Sequence, residues 1–510
     1  MRTAQGDYMK IDEKASFVHF VYPVLFEPLK FDRHVGAVKT AVWGSGEKAS
    51  LVWDSQEFPK EDLLSHVANY LNPRDEHAAP TARMWELNHE LLQSHVFGIG
   101  NKADWVMTSP QGEIPFRIEG IWLTLFRVGV GFMTVRANPL SGELNAWYDF
   151  LHSFRFIQGQ RRVGVRGQRR TGFDKETKKP TVSPFFPHPA GGVETHPEGT
   201  GTLGEVIDAL LRTGATSRDG SVWWREVFVP GQLLPFVSLY VDGQPPEKDP
   251  LVLYKVRNFF SSRQESAPSH SDLQPDHPTL LPYADRQWFV ATLEGGGFVA
   301  CDAPRTDFFR TQMPDHLAKP YFLLFLLTLQ QRFALMMFSE EVSQHWLVAE
   351  EEGRDQKREA AFEHIRDLLL LFTARGLFTQ VMQREHHHRC YEKWQQIFQV
   401  ERLYQEVSDE VREMYNVVQL KRAERLQKLQ EEEAERTKKL EERISMLGIL
   451  IGVPAIILSF LGVNLQNFTN PEGISIVTAL LIVIGGGGIV SSIVLWLLRR
   501  QMKKEGTRRK

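Results

Sequence analysis

Gly462-Val463-Asn464 is the tripeptide with the most chemistry to offer in this sequence. An Asn side chain carries one amide oxygen that accepts hydrogen bonds and one NH2 that donates them. At a single helix end it serves as a cap. Repeated around a symmetry axis, it becomes a ring of amide oxygens facing the water shell of a cation. Mg2+ gives up water reluctantly, so a site for the hydrated ion, with Asn464 binding it through water, is physically sensible. Upstream, in alternating steps of three and four, stand Ser445, Gly448, Gly452, Ala455, Ser459 and again Gly462. That spacing lines one face of a helix. A face of small residues has two readings: close packing of membrane helices, or a pore lining with room for a hydrated ion. Downstream lies an acceptor-rich connector with Gln466, Asn467, Thr469, Asn470 and Glu472.

Other constellations carry less. His386-His387-His388, with Glu385 and Cys390, offers nitrogen and sulfur ligands. Consecutive helical residues point about 100° apart, so one metal cannot take all three histidines. The run reads as the polar start of a helix; His386 and Cys390, one turn apart, are the pair to test if metal is found. Ser45-Gly46-Glu47-Lys48 lacks the spacing of a phosphate loop. Neither G-x-S-x-G nor H-E-x-x-H occurs, so nothing points to an enzyme. Arg161–Glu198 is rich in Arg, Lys, Gly and Pro. It reads as a flexible insertion, or as a basic loop touching an anionic ligand or lipid headgroups. Trp223, Trp224 and Trp288 suit core packing, or a nucleotide base.

These residues need elements to hold them. Ile444–Leu465 has about 22 residues without a charge, and Ile474–Leu498 about 25. A helix crosses a bilayer with roughly 20 apolar residues, so both read as transmembrane. The connector 466–473 has no Lys or Arg, whereas Lys438, Lys439 and Arg443 precede the first span. Arg499, Arg500, Lys503, Lys504, Arg508, Arg509 and Lys510 follow the second. Positive flanks stay cytoplasmic. The expectation is a multi-pass inner-membrane protein with both termini in the cytoplasm. Tyr321–Phe338 is also apolar, but Gln330, Gln331 and Arg332 near its middle would be costly in lipid. It reads as a buried helix of the soluble part.

From His386 onward no Gly or Pro intervenes until Gly448, which predicts one unbroken helix into the membrane. Lys421–Arg443 is mostly charged, with opposite charges at spacings of three and four. So polar a helix is poorly stable alone and implies copies of itself around it. Two helices precede it: one from Pro320 at a first-turn position to about Glu352, the other from about Asp355 to Gln383 with Gly376 as a soft point.

The part before Pro320 reads as mixed α/β. Strands are expected at Ser16–Phe26, twice within Ile118–Ala137, in Ser221–Val241, and in Gln287–Cys301 with a turn at Gly295-Gly296-Gly297. Helices are expected at Glu61–Asn72, Ala82–His95, Gly142–Phe156 and Leu203–Arg212. The length of 510 residues implies more than one structural unit. A formal net charge of -3 argues against direct nucleic-acid binding. Two cysteines exclude a disulfide framework. Met1–Lys14 is polar and predicts no signal peptide.

Taken together, a cytoplasmic α/β part, two helices, a long stalk, two C-terminal spans, Gly-X-Asn closing the first span and a basic tail resemble the CorA family of divalent-cation channels. The family's hallmark is Gly-Met-Asn with a Pro about two turns before it; here stand Gly462-Val463-Asn464 and Pro454. Val463 replaces Met, as in relatives that move Zn2+. Pro471-Glu472 corresponds to the Pro-Glu pair of the family's outer loop. The resemblance covers roughly 320–505 well and the N-terminal half only in outline.

It implies an α+β membrane protein forming a homopentameric funnel in the lipid bilayer. The chain would divide into a cytoplasmic α/β domain 1–319, with an insertion at about 158–200 and a linker at about 261–278. Two helices over 320–384, a stalk 385–443, a pore-lining span 444–465, an outer loop 466–473, a second span 474–498 and a tail 499–510 would follow. Gly462, Val463 and Asn464 would select the ion, and Glu472 would sit in the outer loop. Arg499, Arg500, Lys503 and Lys504 would form a basic collar. Mg2+ or another divalent cation would be both cargo and regulator, held in the cytoplasm by acids such as Glu340, Glu341 and Glu350–Glu352, which otherwise form a solvated helix face. The cytoplasmic part is larger than is usual in the family. This motivates an alternative, a CorA-like effector of type III CRISPR antiviral systems opened by a nucleotide messenger. A third reading is a non-conducting, membrane-anchored binding module.

Overall fold

The computed structural model describes residues 9–43, 50–73, 80–93, 105–109, 112–156, 166–173, 175–177, 180–182, 203–212, 223–227, 231–264, 266–346 and 354–464, with scattered helical residues between 481 and 500. It divides into two compact units, Met1–Glu413 and Met414–Lys510. The strands are β1 (Lys10–Ile11), β2 (Phe17–Leu25), β3 (Val42–Trp43), β4 (Ser50–Leu51), β5 (Trp53–Gln56), β6 (Ala82–Leu87), β7 (Trp105–Ser109), β8 (Gly112–Phe126), β9 (Val130–Pro139), β10 (Arg166–Phe173), β11 (Pro180–Val182), β12 (Arg225–Glu226), β13 (Leu234–Asp242), β14 (Leu280–Ala284), β15 (Gln287–Thr292) and β16 (Gly295–Cys301). The helices are α1 (Phe31–Lys39), α2 (Ser65–Leu71), α3 (His89–Gln93), α4 (Leu144–Phe154), α5 (Leu203–Arg212), α6 (Asp249–Arg257), α7 (Met313–His316), α8 (Phe322–Trp346), α9 (Arg354–Arg375), α10 (Glu385–Ile397) and α11 (Val400–Asn464).

The fold is mixed α/β, with one large sheet and one very long helix. The sheet runs β11-β10-β7-β8-β9-β2-β13-β16-β15-β14, with β6 and β5 added beside β8. Among the described residues β13 and β16 are its parallel pair; the other pairings are antiparallel. Alternation explains how both faces are used. Val18, Phe20, Tyr22, Val24, Val237, Leu239, Val299 and Cys301 point to one face and join a core with residues of α1, α4, α5 and α6. Phe20 meets Phe150 and Phe154 of α4 at ring distances of 5.8 and 4.4 Å. The opposite face carries His19, Phe132, Phe236 and Phe289, which pack on Phe322, Phe333, Phe325 and Tyr321. The sheet is thus filled from both sides, so β2 is buried along its whole length.

Several expectations hold. Strands occupy Phe17–Leu25, Val130–Pro139 and Gln287–Thr292, and Leu203–Arg212 is a helix. The helix Phe308–Gln344 is long and apolar enough to cross a membrane, but 83% of its most apolar window is buried within the fold. It is a core helix, as the polar residues near its middle imply.

Other expectations are corrected. Ala82–His95 is no helix: Ala82–Leu87 is a strand between β5 and β8, followed by the short α3. The basic insertion contributes β10 and β11 to the sheet; β10 pairs with β7. The polar linker is fastened, because Ser262 donates to Asp149 and Arg257 pairs with Asp272 at 2.7 Å. The helix expected from Pro320 begins at Phe308. Arg310 holds those extra turns to the sheet, donating to Asp12 (2.9 Å) and Asp242 (2.8 Å). Pro320 has no N–H to give, and the wide π-type turn Leu317–Tyr321 absorbs it. The second helix ends at Arg375, where Gly376 and Leu377 both donate to the Phe372 carbonyl. The glycine turn of Gln287–Cys301 falls one step earlier: Thr292 pairs with Gly295 across Leu293-Glu294.

Candidate functional site

The expected unbroken helix from His386 is broken. α10 stops at Ile397 and α11 starts at Val400, with Gln399 between them at a left-handed φ of 53°. Phe398 is buried and stacks on Trp394 at 5.3 Å, and that anchoring turns the chain. From Val400 the helix continues for 65 residues, roughly 97 Å at 1.5 Å per residue. No residue from Lys421 to Arg443 is buried. Lys439 approaches Glu435 at 3.7 Å, one turn away.

α11 runs through Gly448, Gly452 and Pro454 to Asn464 without a break. Ser445, Gly448, Gly452, Ala455 and Ser459 therefore share one face, and none of them is buried. Gly462, Val463 and Asn464 are the last described residues of this helix. A Cβ added at Gly448 or Gly452 would meet nothing within 4 Å, and the same holds at Gly485, Gly486 and Gly488. Beside the small stripe, Ile444, Ile451 and Ile456 are 60 to 68% exposed. Arg500, of the expected collar, lies over the Trp496 ring at 5.2 Å. Leu465, Glu472, Arg499, Lys503 and Lys504 fall outside the described residues, as does most of the second span.

In the first unit, α10 is clamped onto the sheet. Cys390, Tyr391 and Trp394 are buried. Gly296 of β16 makes room for Trp394: a Cβ there would stand 2.7 Å from its ring. Gln331 of α8 donates to the Gly376 carbonyl (2.9 Å) and the Tyr391 hydroxyl (2.8 Å), and Tyr391 donates to the Phe378 carbonyl. Gln331→Leu strips this buried network and should cost about 1–3 kcal/mol of stability, read as a lowered Tm of the full chain.

The histidine run opens a helix as expected, but His387 within it is buried. His387 is 1% exposed, and neither of its ring nitrogens has a hydrogen-bond partner. Burial first, then the nearby His386, pushes its pKa down to about 4. Its face also holds Tyr321, which no sequence signal places there. Among the described residues no group of three or more His, Cys, Asp and Glu is arranged to hold a metal. Trp223 and Trp224 pack near His34 and Tyr22, whereas Trp288 lies on β15, beyond β13 and β16. The three tryptophans do not share one site. Glu340 is tied to Arg225 at 2.8 Å, and Glu350–Glu352 fall outside the described residues.

No protein family, curated protein or solved structure matches this chain.

Proposed function

We propose that this chain is one subunit of a CorA-like homopentameric channel that passes Mg2+ or another divalent cation through the inner membrane. Both termini lie in the cytoplasm, and the α/β part gates the pore. One observation carries the reading. Gly448 and Gly452 lie inside a continuous helix where no described residue of their own chain demands a glycine. Each costs that helix about 1 kcal/mol relative to Ala. Small size at these positions suits a shared axis lined by one face of α11. The exposed Ile444, Ile451 and Ile456 then meet lipid or neighbouring helices.

In this arrangement Asn464 closes the lining at its outer end. Five amide oxygens accept hydrogen bonds from the ion's water shell, so the ion need not shed it. The polar segment Lys421–Arg443 is steadied by its copies. The test is the purified full-length chain in detergent and in liposomes. A pentameric mass and uptake of Mg2+, Zn2+ or Co2+ into dye-loaded vesicles are expected. A monomer in both settings, or vesicles as tight as protein-free ones, would overturn the reading.

A further inference from the structure

Three histidines gather where α10 begins. The His387 ring lies 4.3 Å from that of His386 and 4.7 Å from that of Tyr321. Tyr321 is buried as well, and its hydroxyl has no partner. Around His387 stand Arg384 and His386 at its own helix end, His316 of α7, and Asp62 from the segment before α2. The Asp62 Oδ2 is 3.9 Å from His387 Nδ1, but its other oxygen already accepts from Arg384 at 2.8 Å. Asp62 is itself held at a left-handed φ of 62°. Tyr283 of β14 faces His386. A proton added at His387 therefore finds one carboxylate, already engaged, with two imidazoles and a guanidinium beside it. Its charge is closed to water, because His387 is buried.

α10 is bounded by irregular chain at both ends. Ahead of it runs the irregular segment 376–384, held to the Asp62–Leu64 stretch by backbone bonds from Leu64 to Val381 and from Gln383 to Asp62. Behind it is the strained Gln399, and then the root of α11. We propose that this joint is a proton-operated latch: protonation of His387, beside His386 and His316, releases α10 from the sheet and frees the root of the long helix. The inference concerns the body alone and stands whether or not the chain conducts ions. Its direction follows from linkage. His387 titrates lower in the closed state than in an open one, so opening takes up a proton between the ordinary histidine value of 6.5 and about 4. The latch holds fully above that window and weakens as the pH falls through it.

The chain carries its own reporters. Cys390 lies on α10 and Cys301 on the opposite face of the sheet; both are free and buried. The full-length protein is exposed to dithiodipyridine across the window, and each cysteine is followed by peptide mass against a denatured sample at the same pH. Cys390 labelling should rise about tenfold per pH unit of acidification, while Cys301 stays protected. His387→Gln should flatten the Cys390 profile, and His316→Gln should shift it to lower pH. Simultaneous exposure of both cysteines means global unfolding and overturns the latch. So does a Cys390 profile that is flat in the parent or unchanged in His387→Gln. Should His387→Gln not fold, the parent profile and His316→Gln decide on the same terms.

Discussion

Asn464→Ala should cut divalent-cation flux at least about tenfold, or remove discrimination among cations, while leaving the fold intact. A hydrated divalent ion at a pore mouth gives up little of its water, so the wall must offer acceptors for the water hydrogens. Alanine offers none. In a pentamer the substitution removes five such acceptors at once. Even about 1.4 kcal/mol lost in total is a factor of ten. Stability of the body should scarcely move, because Asn464 lies beyond Lys421–Arg443, where no residue is buried. The measurement pairs vesicle flux for Mg2+, Zn2+ and Co2+ with a melting curve of the same preparation. Unchanged flux and selectivity in a folded Asn464→Ala protein would remove Asn464 from the ion path.

Much of the body can be read from the sequence, and the exceptions have physical causes. The hairpin within Ile118–Ala137 is legible because a run rich in Ile, Val, Phe and Trp is interrupted near Arg127–Gly131, where Gly129 turns at positive φ. The strand Ala82–Leu87 is not. Its Ala, Arg, Met, Glu and Leu are good helix formers, and only the free edge of β8, far along the chain, recruits them into the sheet. α6 is absent from the expected helices, although Asp249-Pro250 at its first turn, just ahead of an apolar run, is a signal for it. The break at Gln399 has no Gly or Pro to announce it, since it comes from Phe398 being drawn into the Trp394–Phe325 cluster. His387 looks solvated in a polar run and is buried because the π-type turn at Leu317–Tyr321 delivers Tyr321 to it.

The candidate site divides the same way. The face shared by Ser445, Gly448, Gly452, Ala455 and Ser459 follows from helical spacing alone, so residue order suffices to find it. Whether that face surrounds a lumen is a property of several chains, which one sequence does not encode locally. Glycine shows the contrast best. At Gly448 no described residue of the chain asks for a glycine. At Gly295, Gly296 and Gly297 the reason is internal and severe.

Gly297→Ala is accordingly expected to have the largest structural effect of any single methyl group. Gly297 has a φ of 141°, a region L side chains rarely adopt. A Cβ there would stand 1.9 Å from the Val237 carbonyl oxygen and 2.5 Å from the Val237 nitrogen. Both belong to backbone, so no side-chain rotation can relieve the contact. Val237 and Gly297 are register partners in the parallel β13–β16 pair, with β2 beyond β13 and β15 beyond β16. Relief requires the centre of the sheet to part. Backbone strain of about 1–3 kcal/mol adds to overpacking of about 1–3 kcal/mol. The sum is comparable with the ~5–15 kcal/mol that holds a typical domain together. Gly297→Ala should give less folded protein, with Tm lowered by several degrees where material is recovered. Gly448→Ala is the matched control. It adds the same methyl group where nothing lies within 4 Å, and should leave the body's melting unchanged. Equal melting of the Gly297→Ala, Gly448→Ala and parent proteins would show that β13 and β16 do not approach as closely as this register requires.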